Sequence, residues 1–240
     1  MMKWIPLFIL LLLTGCSGST PAIIEKVDTV PDETEKDPVL IEQQEEEESE
    51  DFIEFSLEDE QILISLKMVP ILNEYLNGVN NRKQAIYEMH LERISSEVHD
   101  IYLLEFSCVQ DLCSYLIFHP TNEKLAYLVA DIAKFSNFIL SPDESKIVLH
   151  FSRFHSTDNN LDTIVVVDLA NWKLLSLNNE TSNDTILNYK WPFIYIEWVD
   201  NESITIVTPD IMEPTIELLT EWQQTNDSPT ANTVFSIYSE

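Results

Sequence analysis

The sequence predicts a mainly β protein, an antiparallel meander sheet of hairpins with two helices N-terminal to it. Two observations point there. From about residue 99 onward, short apolar runs and alternating apolar and polar residues are separated by Asn, Asp and Pro, the pattern of short strands joined by tight turns. Just before it, apolar residues recur three and four apart, the helical spacing. A third observation narrows the chemistry. The 240 residues hold only three glycines, Gly15, Gly18 and Gly78. Phosphate-cradling loops and G-x-S-x-G nucleophile elbows need several, so that backbone can turn sharply or approach a ligand closely. P-loop, dinucleotide-binding and α/β-hydrolase readings are therefore disfavoured.

Residues 1–15 read as a signal peptide. Lys3 supplies a positive start and Trp4 to Leu13 an apolar run of ten residues. As a helix that run spans about 15 Å, half of a hydrocarbon core of roughly 30 Å. It is too short to span a membrane and suits a signal core. The run ends in Leu13-Thr14-Gly15-Cys16, which resembles the lipobox of bacterial lipoprotein precursors. The resemblance implies cleavage before Cys16, a diacylglyceryl and acyl lipid (palmitate being typical) on that cysteine, and a chain held on the extracytoplasmic face of the cell membrane. No other cofactor is expected.

Residues 16–55 read as an acidic, disordered tether. Pro21, Pro31 and Pro38 punctuate it, and Glu45 to Glu48 form an acidic block. Between Glu25 and Glu60 stand 17 acidic residues and two lysines. Like charges repel and extend such a segment. The whole chain has a formal charge of −29. Lys3 is the only charge in the first 15 residues, so the processed chain would carry 12 basic and 42 acidic residues, a net −30. A chain of that sign is repelled by nucleic acid. The expected partners are the membrane, through the lipid, and a protein or envelope component.

Residues 56–98 read as the helical segment. Ser56-Leu57-Glu58-Asp59 fits a capping-box start, and Ile62, Leu66, Val69, Leu72 and Leu76 follow at helical spacing. Pro70 would kink or divide this helix, and Asn77-Gly78 would stop it. A second stripe, Ile86, Met89 and Ile94, starts near Asn81.

Residues 99–240 read as the β domain. Strands are expected over 101–106, 114–118, 125–129, 138–140, 146–151, 163–168, 172–176, 193–198, 203–207 and 234–238. Turns at Pro142-Asp143-Glu144, Ala170-Asn171-Trp172 and Asp200-Asn201-Glu202 use Asn and Asp in place of glycine, since both tolerate left-handed backbone and bond their own main chain.

Two stretches carry a resemblance. Phe138-Ile139-Leu140-Ser141-Pro142-Asp143, Lys146-Ile147-Val148, Ile164 to Leu169 and Trp172-Lys173-Leu174 together resemble a blade of the TolB-like and WD40-like β-propellers. Ile196-Glu197-Trp198-Val199-Asp200 with Ser203 to Ile206 resembles the start of another. Asp143 and Asp200 are 57 positions apart, more than the roughly 40–50 residues of a usual blade. The resemblance implies two to three blades, where a closed propeller needs at least four. The expectation is an open sheet of blade-like hairpins, an incomplete propeller at most, with helices over one face.

Cys108 and Cys113 bracket four residues between two expected strands. Outside the membrane they could form a disulfide; two buried thiols or a metal or redox pair are the alternatives, although the spacing is not C-x-x-C. Asp158, Asn160 and Asp162 place oxygen atoms at alternate positions, as a calcium loop begins. Thr163 stands where the loop glycine belongs, and Leu169 where the bidentate glutamate belongs, so a polar hairpin loop competes. His150 and His155, five apart in one strand, point to opposite faces and make no natural metal pair. Trp191, Phe193 and Tyr195 form a candidate exposed aromatic patch for a partner or a glycan. No catalytic residue can be singled out among 42 carboxylates. The expected function is a non-catalytic, lipid-anchored binding or assembly module. The alternative is a surface hydrolase acting on cell-wall or carbohydrate substrates through paired carboxylates.

Overall fold

The computed structural model describes residues 24–27, 37–45, 48–95, 100–119, 126–156, 159–179 and 186–238. The signal, the lipobox with Cys16, and Asp158 lie outside these residues. The chain is mainly β, with antiparallel pairing throughout and three short helices among the described residues.

The first sheet, A, has the order β1-β4-β3-β2, built from Ile24–Val27 (β1), Val39–Glu45 (β2), Glu48–Ser56 (β3) and Gln61–Ser65 (β4). This corrects two expectations. Part of the 16–55 tether is strand, because a period-two pattern lies beneath its charge. Ile53 and Phe55 are buried, while between them Glu54 is only partly so, and Asp51 pairs with Arg82 at 2.9 Å. The capping-box reading also fails. Leu57 to Glu60 make the β3–β4 turn, with Leu57 N–H donating to Glu60 O at 2.9 Å, and Ile62 and Ile64 alternate into the core of β4.

The 56–98 segment is thus part strand and part helix. Pro70–Gly78 forms α1 and Arg82–Tyr87 forms α2. Pro70 opens α1 rather than kinking a longer helix, since the N–H it lacks would have been unpaired in the first turn anyway. Asn81 caps α2, its Oδ1 accepting from Gln84 N at 3.1 Å. Met89 ends the helical run, and His90–Ser95 is strand β5.

The remaining strands form one continuous sheet, β12-β13-β14-β11-β10-β9-β8-β7-β6-β5. They are β6 (Asp100–Val109), β7 (Leu112–Phe118), β8 (Tyr127–Leu140), β9 (Lys146–Ser156), β10 (Asn159–Asp168), β11 (Lys173–Asn178), β12 (Tyr195–Trp198), β13 (Ser203–Pro209) and β14 (Thr230–Tyr238), with helix α3 (Ile216–Gln224) between the last two. The strands expected at 125–129 and 138–140 belong to one long β8. Its first half pairs with β7 and its second with β9, and the change falls beside Ile132, whose φ is 47°. Arg153 secures this left-handed kink by donating to the carbonyls of Asp131 (2.6 Å) and Ile132 (2.9 Å). Likewise β11 pairs first with β10 and then with β14.

These two shared strands divide the sheet into B (β5 to β8), C (β8 to β11) and D (β11-β14-β13-β12). Three cores lie between successive sheets. The first joins Ile53, Phe55, Ile62 and Ile64 of A to Tyr102, Leu104, Leu116 and Phe118 of B, with Leu72, Leu76 and Ile86 of the helices at the same core. The second joins the other face of B, including Ile101, Leu103, Tyr115 and Ile117, to Ile147, Leu149, Phe151 and Val167 of C. The third joins the other face of C, Val148, Ile164 and Val166, to Ile204, Ile206, Phe235 and Ile237 of D. Sheets B and C are therefore buried on both faces, which explains the unbroken apolar run of Ile164 to Val167. Among the described residues the sheets close into neither a barrel nor a propeller.

The two turns that carry the blade resemblance lie side by side. Asp143 N–H donates to Asn201 Oδ1 at 3.1 Å, Lys146 Nζ meets Glu202 Oε1 at 3.0 Å, and Trp198 Nε1–H donates to Ile139 O at 3.1 Å. Their aspartates act as acceptors rather than as left-handed residues. The positive φ values fall on Glu144 (56°) and Trp172 (50°), while Asp143, Asp168 and Asp200 receive the turn N–H and O–H groups.

Candidate functional site

At one edge of the C–D core, β8, β9 and β10 meet the loop 188–194, the end of β13 and helix α3. A cleft of about 350 Å³ opens there, within the size range of small-ligand sites. The strand period supplies its floor. His150 and Ser152 are two apart on β9, and Asn160 and Asp162 two apart on β10, with Asp162 directly opposite Ser152. All four project from the same face of sheet C, toward the cleft that they line.

Asp162 organises the wall. Its backbone N–H donates to Trp191 O at 2.8 Å, and its own carbonyl accepts from Tyr189 N–H at 3.0 Å. Its Oδ2 accepts the Phe193 N–H at 2.7 Å. Next to it, Thr163 Oγ1 accepts from Asn188 N–H at 3.1 Å. The loop 188–193 is thereby fixed to β10 by four bonds. Asp162 Oδ1 lies 3.1 Å from His150 Nε2, with the two side chains only 8% and 14% exposed. The contact has ion-pair proximity without hydrogen-bond angles, and His150 Nδ1 is buried with no hydrogen-bond partner among the described residues. The imidazole stacks on Phe193, centroids 5.9 Å apart and planes at 24°. Ser136 Oγ–H donates to Ser152 Oγ at 3.4 Å. On the far side α3 contributes Leu219 and Trp222, and Trp222 Nε1–H is fixed to Pro229 O at 2.6 Å.

The sequence-level candidates redistribute around this cleft. Asp162 is a buried strand residue whose Oδ2 is bonded to the Phe193 N–H, Asn160 is exposed on the rim, and Asp158 lies outside the described residues, so the calcium-loop reading of Asp158, Asn160 and Asp162 gains nothing here. The aromatic triplet does not form a single exposed patch. Trp191 and Phe193 pack against the third core, and Tyr195 alone is largely exposed. Those side chains are drawn inward because the loop is tied to Asp162. Cys108 and Cys113 are joined by a disulfide across the β6–β7 hairpin. His119 is buried edge-on to Trp172, centroids 5.0 Å apart.

Sequence reasoning missed His150 and α3. Along the sequence His150 has no companion on its face, since His155 points to the other, whereas its neighbour Asp162 comes from the adjacent strand. Helix α3 has a readable signal: Pro214 precedes Thr215, whose Oγ1 accepts from Leu218 N–H at 3.3 Å, and Leu218, Leu219 and Trp222 follow at helical spacing. Compared with known proteins, the chain matches no family model, no curated protein and no solved structure.

Proposed function

We propose that this chain is a lipid-anchored, extracytoplasmic binding module, held on the membrane by Cys16 and receiving its partner at the cleft between sheets C and D. The observation that carries the reading is a preformed concave site whose wall is fixed by Asp162 and whose far side is a helix. The lipobox Leu13-Thr14-Gly15-Cys16 supports the anchor. The docking of the Asp143 and Asp200 turns supports treating C and D as blade-like units of an open, incomplete propeller, and clefts between packed units are common places for ligands. Among the described residues lining the cleft there is one carboxylate, Asp162, so the paired-carboxylate hydrolase draws no support from it.

The test is in-cell photo-cross-linking. A photoreactive residue in place of Asn160, on the cleft rim, gives a discrete adduct in the anchored chain and loses it with Cys16→Ala. The same group in place of Tyr87, exposed on α2, gives none. Equal labelling from both positions, or none from either, contradicts the reading.

A further inference from the structure

The bonding capacity left in the cleft says what kind of ligand it takes, and this inference rests on the cleft being the binding site. The Asp162 side chain is 8% exposed; its Oδ2 accepts the Phe193 N–H at 2.7 Å and its Oδ1 lies 3.1 Å from His150 Nε2, so what it offers a ligand is an acceptor oxygen at the buried floor of the cleft. No lysine or arginine lines the cleft among the described residues, and the chain as a whole carries −29, so an anionic ligand is repelled. The hydroxyls of Ser136 and Ser152 and the Asn160 amide line the cleft beside Asp162 and His150. Helix α3 contributes the indole of Trp222 on the far side, and Pro209 and Phe193 complete the lining, Phe193 on the His150 side with its ring stacked on the imidazole. Trp222 is half-buried and held by its indole N–H, which orders the ring in advance. Hydroxyl, amide and carboxylate oxygen groups on the strands, with an ordered indole on the helix side, match a molecule with hydroxyls at its edge and C–H groups on its face.

We infer that the cleft between sheets C and D binds one ring of a neutral saccharide, with Asn160, Ser136 and Ser152 bonding its hydroxyls and Trp222 covering its apolar face. The ring order is set by the protein, so little side-chain freedom is lost on binding. A single sugar ring makes few contacts, so the affinity is modest.

The test is an NMR titration of the processed chain with glucose, N-acetylglucosamine and cellobiose, alongside glucuronate and choline as charged controls. Neutral sugars shift the Trp222 indole and Phe193 amide signals saturably, and the charged compounds do not. Trp222→Leu weakens the half-saturation roughly tenfold, the scale of a lost aromatic contact. Asn160→Ala, an exposed change that leaves the fold intact, weakens it severalfold. Choline or glucuronate shifting the same signals as strongly as the sugars overturns the ligand class. So does the absence of any sugar-induced shift at Trp222 and Phe193. If the adduct from position 160 persists in that case, the cleft still binds a partner and only the saccharide assignment fails; loss of both removes the site itself.

Discussion

Asp143 shows how one side chain substitutes for glycine in this chain. Its Oδ1 accepts from Ser141 Oγ–H at 2.7 Å, Ser145 N–H at 3.0 Å and Ser145 Oγ–H at 2.8 Å. The Ser141 hydroxyl, then the Ser145 groups, hold its carboxyl down at about 2. A lowered value stabilises the fold above the ordinary carboxyl range, near 3.9, and that contribution fades as pH falls toward about 2. Asp143→Ala should therefore melt below the parent chain at neutral pH, and the two should converge in acid. A melting difference that persists unchanged at the lowest pH would contradict this. Tyr115 works in the other direction. Burial, with the adjacent Glu105 carboxylate accepting its O–H at 2.8 Å, pushes its phenol well up. A raised phenol stabilises the folded chain below the ordinary tyrosine value of about 10 and loses that contribution as pH rises beyond it. Urea denaturation should show Tyr115→Phe losing less stability than the parent chain between about pH 9 and 11. The turns themselves were legible, because Asn and Asp clusters mark them. The left-handed residues were not, since Glu144 and Trp172 are unusual carriers of positive φ and nothing local announces them.

Among the elements, two ties invite direct measurement. Asp162 fixes the loop 188–193 to β10. Asp162→Ala strands the Phe193 N–H, and loss of a bond to a charged acceptor costs about 2 kcal/mol. The expected outcome in urea denaturation is that loss, together with faster amide exchange at Tyr189 and Phe193; protection unchanged at both amides would show that the loop is held by other contacts. The Cys108–Cys113 bond closes a very short loop, for which the chain-entropy model gives about 2 kcal/mol. Replacing both by serine should reduce stability by no more than that, and mass spectrometry under non-reducing conditions should find no free thiol at Cys108 or Cys113 in the parent chain. Element types were legible where a period ran without competition, as in Lys146 to Phe151. They were not in the stretch from Ile62 to Leu76. There a two-residue period in β4 runs directly into a helical one in α1, and the joined pattern mimics a single helix. The acidic stretch before it hid β2 and β3 for another reason: net charge describes a segment, whereas a strand needs only its inward positions to be apolar. The cleft was the least legible feature, because its members come from four strands, a loop and a helix whose proximity no spacing encodes.

On the scale of the whole molecule, four four-stranded sheets stack face to face through three cores, and two strands pass from one sheet into the next. Stacking leaves the outer faces of A and D at the ends of the series and the C–D cleft at its side. Sheet A is coupled to B by Arg93, which reaches Asp59 at 3.0 Å and Glu60 at 3.2 Å, and by Tyr102, whose O–H donates to Glu60 at 2.9 Å. Among the described residues no helix is long and apolar enough to cross a membrane. In the proposed arrangement the lipid on Cys16 supplies the attachment, the acidic segment behind it repels anionic surfaces, and the stacked sheets present the cleft. The intact mass of the protein extracted from the membrane fraction of its native cells decides whether that arrangement exists. A chain beginning at Cys16, lacking residues 1–15 and heavier by a diacylglyceryl and an acyl group, is the predicted result. A chain that keeps Met1, or one that begins elsewhere with an unmodified Cys16, would contradict the anchored binding module at its foundation.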